Sequence, residues 1–168
     1  MIQAYPNDTE LHRITKREII LKSRDNARTP MQWDTSAYAG FSSATPWQRE
    51  NESYKFINAA SQVGIQGSVF QYWASILKLR KEQKDIFIYG NFEMVDVENE
   101  DVFAYLRSFS GEKVLVVANF RKEGVAWNVP KGMELARDRV LVSNYGRIGG
   151  TEGEVDLRPF EAFACFLK

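Results

Sequence analysis

Arg24-Asp25-Asn26-Ala27-Arg28-Thr29-Pro30-Met31-Gln32-Trp33-Asp34 shows neither the period of a helix nor the alternation of a strand. It is too polar for a core element and too rich in directional groups for a plain spacer. Asn and Asp side chains bond nearby backbone groups and favour turns, so Arg24, Asp25 and Asn26 are expected to shape this loop, together with Gln32 and Asp34. Pro30 fixes its own φ and holds Thr29 extended. From Thr29 to about Asn58 the chain reads as one long ordered loop, because Trp33, Tyr38, Phe41 and Trp47 argue against disorder.

On the N-terminal side, residues 8–22 are expected to hold one short, partly basic helix. On the C-terminal side, Ser68 with Gln71 three positions on predicts a helix start. Val69, Tyr72, Trp73, Ile76 and Leu79 follow helical spacing, with Phe70 and Leu77 widening the face. Burial over more than a narrow stripe is the expectation. From Ile86 onward the chain reads as strand throughout: 91–96, 101–109, 113–120, 124–129, 138–143 and 158–167, separated by turns such as Ser110-Gly111 and Pro130-Lys131-Gly132. The continuous apolar run Val114 to Ala118 predicts a central strand. The spacing suggests an antiparallel sandwich or Greek-key domain of about six to eight strands, so the fold class is mainly β, with 86–168 as its C-terminal β domain.

The chain has 168 residues with 22 basic and 22 acidic side chains. That balance gives no steering toward nucleic acid or a membrane surface. A complete (β/α)8 barrel needs about 250 residues, more than are present. Met1 to Pro6 lacks the basic end and apolar core of a secretory signal, and the expected location is the cytoplasm. Cys165, the single cysteine, alternates within a terminal apolar run and is expected to be a buried small hydrophobe. No Cys/His cluster or Asp-rich calcium loop suggests a metal site, and no cofactor is expected. The glycine-rich stretch 146–153 lacks the strand–helix context of a phosphate cradle and reads as a turn.

The block Arg24 to Asp34 resembles, without interruption, the signature of family 13 glycoside hydrolases in the alpha-glucosidase (maltase and oligo-1,6-glucosidase) branch of the alpha-amylase superfamily. Ala39-Gly40-Phe41-Ser42, Pro46-Trp47, Tyr54, Ile57-Asn58 and Gln62 are similar to the segments that follow it. Ser68 to Lys81 resembles the last barrel helix. Val116 to Phe120 and Leu157 to Ala162 resemble strands of domain C. The wording Phe70-Gln71-Tyr72-Trp73-Ala74-Ser75 looks like that of fungal maltases. The resemblance implies that residues 1–85 are the terminal fragment of a (β/α)8 catalytic barrel. It implies a complete enzyme that hydrolyses terminal α-linked glucose from maltose- or isomaltose-type sugars with retention. Retention needs two carboxyls about 5 Å apart. The family's nucleophile and acid/base lie upstream of the signature, so no catalytic residue is assigned here, and Asp25 and Asp34 are rejected as substitutes.

The resemblance assigns substrate binding to Arg28, whose guanidinium would reach a glucose hydroxyl and an active-site aspartate. The alternative is an arginine that pins the loop through backbone carbonyls and Asp25 or Asp34. Trp33, Phe41 and Trp47 are either walls of a sugar cleft or aromatics packed under the loop, as Met31 is expected to be. An α-glucosidic oligosaccharide is expected to bind only in the context of the complete barrel. Self-association through exposed barrel-facing surfaces is a further expectation. The competing function is a carbohydrate-binding or purely structural β module without hydrolysis.

Overall fold

The structure, a computed structural model, describes residues 9–22 and 24–168, the side chain of Asn26 excepted. The reading of Met1 to Pro6 lies outside the described residues. The chain divides into two compact units, the first ending at Tyr72 and the second beginning at Trp73.

In the first unit, helix α1 spans Thr9–Lys22, matching the short, partly basic helix expected over 8–22. Pairs three and four residues apart, Glu10 with Arg13 and Glu18 with Lys22, lace its solvent side. From residue 24 to 68 the chain is irregular, with short 3-10 turns at Arg24–Ala27, Ala37–Gly40 and Glu52–Lys55. Helix α2, Val69–Glu82, begins in the first unit and continues into the second. Ser68 starts it as expected: its Oγ accepts from the Gln71 N–H at 3.2 Å and donates to the Gln62 carbonyl at 2.8 Å. Gln62 Oε1 accepts from the Phe70 N–H at 3.1 Å, so a second cap comes from a residue outside the local pattern. The expected burial of the α2 face is not found. None of its residues is buried, and Val69 and Trp73 are more than half exposed. Helical spacing shows which side chains share a face; it says nothing of what covers that face.

The second unit carries seven strands: β1 Asn91–Val95, β2 Val102–Phe109, β3 Glu112–Asn119, β4 Val125–Asn128, β5 Leu135–Ser143, β6 Glu154–Leu157 and β7 Ala162–Leu167. They form an antiparallel five-stranded sheet in the order β1-β2-β3-β7-β5 and a two-stranded sheet of β4 and β6. This is a β-sandwich in which the chain leaves the large sheet for β4, returns for β5, and leaves again for β6. β3 is central, as its continuous apolar run predicts, and Val114, Leu115 and Val117 on it are fully buried.

Alternation decides which side chains meet. Val102, Ala104 and Leu106 of β2 face inward with Leu115, Val117, Phe163 and Cys165, against Trp127, Val155 and Leu157 of the small sheet. The opposite face of the large sheet splits in two. Val114, Ala164 and Phe166 are covered by Ile86 and Phe87. Nearer β1 the rings of Phe92, Tyr105, Phe103 and Phe120 touch in series, at centroid distances of 5.1, 5.6 and 6.4 Å, with Phe120 71% exposed. The Cys165 thiol donates to the Ala136 carbonyl at 3.0 Å, and burial raises its pKa to about 11. It is an inert core group, as expected.

Three strand-level expectations need correction. Ile86 does not open a strand region: Asp85–Tyr89 forms a π-helical turn, held by the Arg107 Nε bond to the Ile86 carbonyl at 3.1 Å. The expected strand 158–167 begins only at Ala162. Arg158 to Glu161 is a turn, with Phe160 at φ 54 and the Glu161 N–H on the Arg158 carbonyl. β6 was not foreseen, because its four residues sit between glycines and a turn and are too few to show alternation.

Candidate functional site

The loop from Arg24 is fastened by its backbone. The Asp25 carbonyl accepts from the Arg28 N–H at 3.1 Å, closing the first turn, and from Gln48 Nε2 at 3.4 Å. Pro30 is buried. The Gln32 carbonyl accepts from the Ala59 N–H and the Trp33 carbonyl from the Ala60 N–H, each at 2.9 Å. Gln32 Oε1 also accepts from Ser53 Oγ at 3.2 Å. The receiving segment is held in turn by Asn58, only 4% exposed, whose amide bonds the Tyr54 carbonyl and the Ser61 N–H at 2.8 and 2.9 Å.

The far end of the loop folds on itself. Both the Trp33 and Asp34 N–H groups donate to the Ala39 carbonyl, at 2.8 and 3.2 Å. The Asp34 carboxylate accepts from the Ser36 N–H at 2.8 Å and from the Ser36 hydroxyl. Those bonds favour its charged form and hold its pKa below the ordinary carboxylate value. Asp34 thus works as a turn-former whose carboxylate is already engaged. Tyr38, Ala39 and Gly40 lie consecutively at φ 54, 59 and 66, a left-handed run that costs about 1–2 kcal/mol at each non-glycine residue. Ala39 is fully buried, and the Tyr38 hydroxyl meets Thr45 Oγ1 at 3.0 Å.

Gly40 is required twice over, because a Cβ there would sit 2.7–2.8 Å from the Asp34 carboxylate. Gly40→Ala is expected to loosen the loop by about 2 kcal/mol. Amide exchange at Trp33 and Asp34 should rise about tenfold or more, since those N–H groups depend on the Ala39 carbonyl.

Arg28 follows the first turn and is exposed. Its guanidinium makes no hydrogen bond or ion pair with another described residue, and the same holds for Arg24. The Asn26 side chain lies outside the described residues. Met31, Trp33, Phe41 and Trp47 are 48, 52, 49 and 88% exposed; packing beneath the loop is not their arrangement. Beside Arg28, a groove of about 340 Å³ runs from Thr29 to Gln32, across Asn58 and Gln62, to Phe70. The structure therefore brings Pro30, Met31, Gln32, Asn58 and Gln62 together and leaves Trp33, Phe41 and Trp47 apart from that lining. Ser36, Gln48, Ser53 and Ser61 were missed. The Asp-x-Ser spacing of Asp34 and Ser36 is a turn signal that could have found the first; the others are brought in by the fold alone.

Chemically, this is a donor-bearing loop. Arg28 presents a rigid fork of N–H groups suited to carboxylates and neighbouring hydroxyls. Among the described residues no group of three or more His, Cys, Asp or Glu side chains could hold a metal ion, and no helix is long and apolar enough to cross a membrane.

Residues 2–90 match the family model of the alpha amylase catalytic domain, and residues 92–163 match that of the maltogenic amylase C-terminal domain. The chain is similar to an oligo-1,6-glucosidase of Bacillus cereus, 38% identical over 152 residues, which are 90% of this chain and 27% of that protein. It is similar to an alpha-glucosidase of Schizosaccharomyces pombe, 37% identical over 143 residues, 84% of this chain and 24% of that protein. The crystal structure of the trehalulose synthase MutB from Pseudomonas mesoacidophila MX-45 superposes with a TM-score of 0.81 at 34% identity, covering 98% of this chain and 30% of that one. The chain spans about a quarter of the length of the curated relatives it matches.

Proposed function

The chain belongs to the alpha-amylase family, and from that premise we propose that it is the C-terminal portion of a cytoplasmic retaining alpha-glucosidase acting on maltose- or isomaltose-type sugars. Residues 1–85 contribute to the catalytic barrel and 86–168 form a separate β domain. The observation that carries this reading is the pairing of a tethered loop backbone with the unengaged guanidinium of Arg28. A side chain kept off its own loop is available to a sugar hydroxyl and to a carboxylate supplied by the rest of the barrel.

The loop's own carboxylates do not supply the chemistry. Asp34 is committed to Ser36, and retaining hydrolysis needs two opposed carboxyls about 5–5.5 Å apart. Arg28 therefore binds and orients, while nucleophile and acid/base are supplied by parts of the complete enzyme other than this loop. Trp33 and Phe41, half exposed, are available as walls beside the sugar.

A chimera tests this reading: the matching C-terminal quarter of the Bacillus cereus oligo-1,6-glucosidase is replaced by this chain. The expected result is hydrolysis of maltose or isomaltose with the α-anomer released first. A folded chimera that releases no glucose, or that releases the β-anomer, would contradict it.

A further inference from the structure

The second unit holds a groove of about 540 Å³ between the turn after β1 and the turn after β4. Its walls are set by hydrogen bonds within each turn. After β1, Asn99 Oδ1 accepts from the N–H groups of Asp101 and Val102 at 3.0 and 2.9 Å, and the Asn99 N–H bonds the Asp96 carbonyl at 3.0 Å. After β4, the Met133 N–H bonds the Pro130 carbonyl at 3.1 Å. The groove is thus preformed and needs little ordering on binding.

Asp96 has φ 53, a left-handed conformation that few non-glycine residues adopt. One of its carboxylate oxygens, Oδ2, accepts from Trp127 Nε1 at 2.9 Å and Asn99 Nδ2 at 2.8 Å. The other oxygen has no partner among the described residues. Trp127, 1% exposed, fixes that carboxylate from the core. Asn128 and Lys131 line the same groove, and their side chains make no hydrogen bond or ion pair with another described residue. A free acceptor, an amide and an ammonium therefore share one preformed space.

Their chemistry selects the ligand class. One carboxylate cannot replace the six to eight oxygens that calcium demands. One ammonium beside a carboxylate gives no net attraction for an anion. Adjacent hydroxyls suit the set, since each can donate to Asp96 and accept from Lys131 or Asn128. The volume falls within the range of small-molecule sites, about 300–1,000 Å³.

We propose that this groove of the β domain binds a neutral polyhydroxylated ligand, a mono- or disaccharide, at a site separate from the Arg28 loop. The test is a titration of the ¹⁵N-labelled 168-residue chain with maltose, following the Trp127 indole N–H resonance, which reports directly on Asp96. The expected result is a saturable shift with a millimolar dissociation constant. Asp96→Asn and Lys131→Met should each weaken binding about fivefold, the worth of one hydrogen bond. Asp96→Asn keeps an acceptor for the indole. Lys131→Met alters an exposed turn, so it alone decides the matter if the first variant fails to fold. A resonance unmoved by maltose, a larger response to calcium chloride or sodium phosphate, or a Lys131→Met variant binding as tightly as the parent would overturn the proposal.

Discussion

Arg28→Ala in the chimera is expected to lower kcat/KM for maltose by about a hundred- to a thousandfold, which corresponds to roughly 3–4 kcal/mol of lost transition-state stabilisation. The size follows from the role proposed for the guanidinium, which would offer several N–H groups in one plane to a hydroxyl and a carboxylate at once. Arg28→Lys should recover little of the loss, because an ammonium is a point charge without the fork. Stability separates this role from a structural one. The side chain makes no bond to another described residue, so both variants should unfold within about 0.5 kcal/mol of the parent. A variant that loses stability along with activity would place Arg28 in the loop's own framework.

The second large effect is expected at Glu161. Its side chain is fully buried, and it is clamped by Arg158 through three bonds: Nε at 2.9 Å, Nη2 at 2.7 Å and the backbone N–H at 2.8 Å. Arg158 lies over the Tyr145 ring at 4.2 Å and donates to the Arg147 carbonyl at 2.8 Å. Glu161→Ala strands those donors and empties the turn that begins β7. The expected cost is about 3 kcal/mol, moderated because Arg158 is 42% exposed and can turn to water.

Burial pushes the Glu161 carboxyl upward, and the bonds and charge of Arg158 outweigh it, so its pKa lies below the ordinary value of 4.5. A carboxyl depressed in the folded state stabilises at pH above its unfolded pKa. That contribution fades as pH falls from about 4.5 through the folded value. Urea midpoints measured between neutral pH and about pH 3 should therefore fall less steeply for Glu161→Gln than for the parent. Equal slopes would show that the ion pair is not what the acid limb reports.

The fold class was legible because two strand patterns are written plainly. Val102, Ala104 and Leu106 alternate with exposed or half-buried neighbours and do line the core. The unbroken run in β3 marks a strand with both faces covered: Trp127 and Leu157 lie beyond one, Ile86 and Phe87 beyond the other. Cys165 was legible for the same reason. The four-residue β6 was not, since its pairing with β4 is a tertiary event. The π-helical turn at Asp85–Tyr89 was hidden because Asp-Ile-Phe-Ile-Tyr reads equally well as a strand entry.

At the candidate site, residue types were easier to read than their partners. Asp34 was expected to shape the loop, and its spacing to Ser36 explains how. The left-handed run through Tyr38 and Ala39 has no signal apart from Gly40. Packing under the loop was a natural expectation for Trp33 and Trp47, because large aromatics are usually covered. One-dimensional spacing does not encode what covers a side chain in the fold, and these two are left exposed.

The central claim is a division of labour: the Arg28 loop holds a glucose ring, and the acids that break its bond lie elsewhere. Glucose release from maltose by the purified 168-residue chain tests it most directly. The account predicts no turnover above buffer, with Asp25→Asn and Asp34→Asn indistinguishable from the parent. Robust turnover that either substitution abolishes would contradict it.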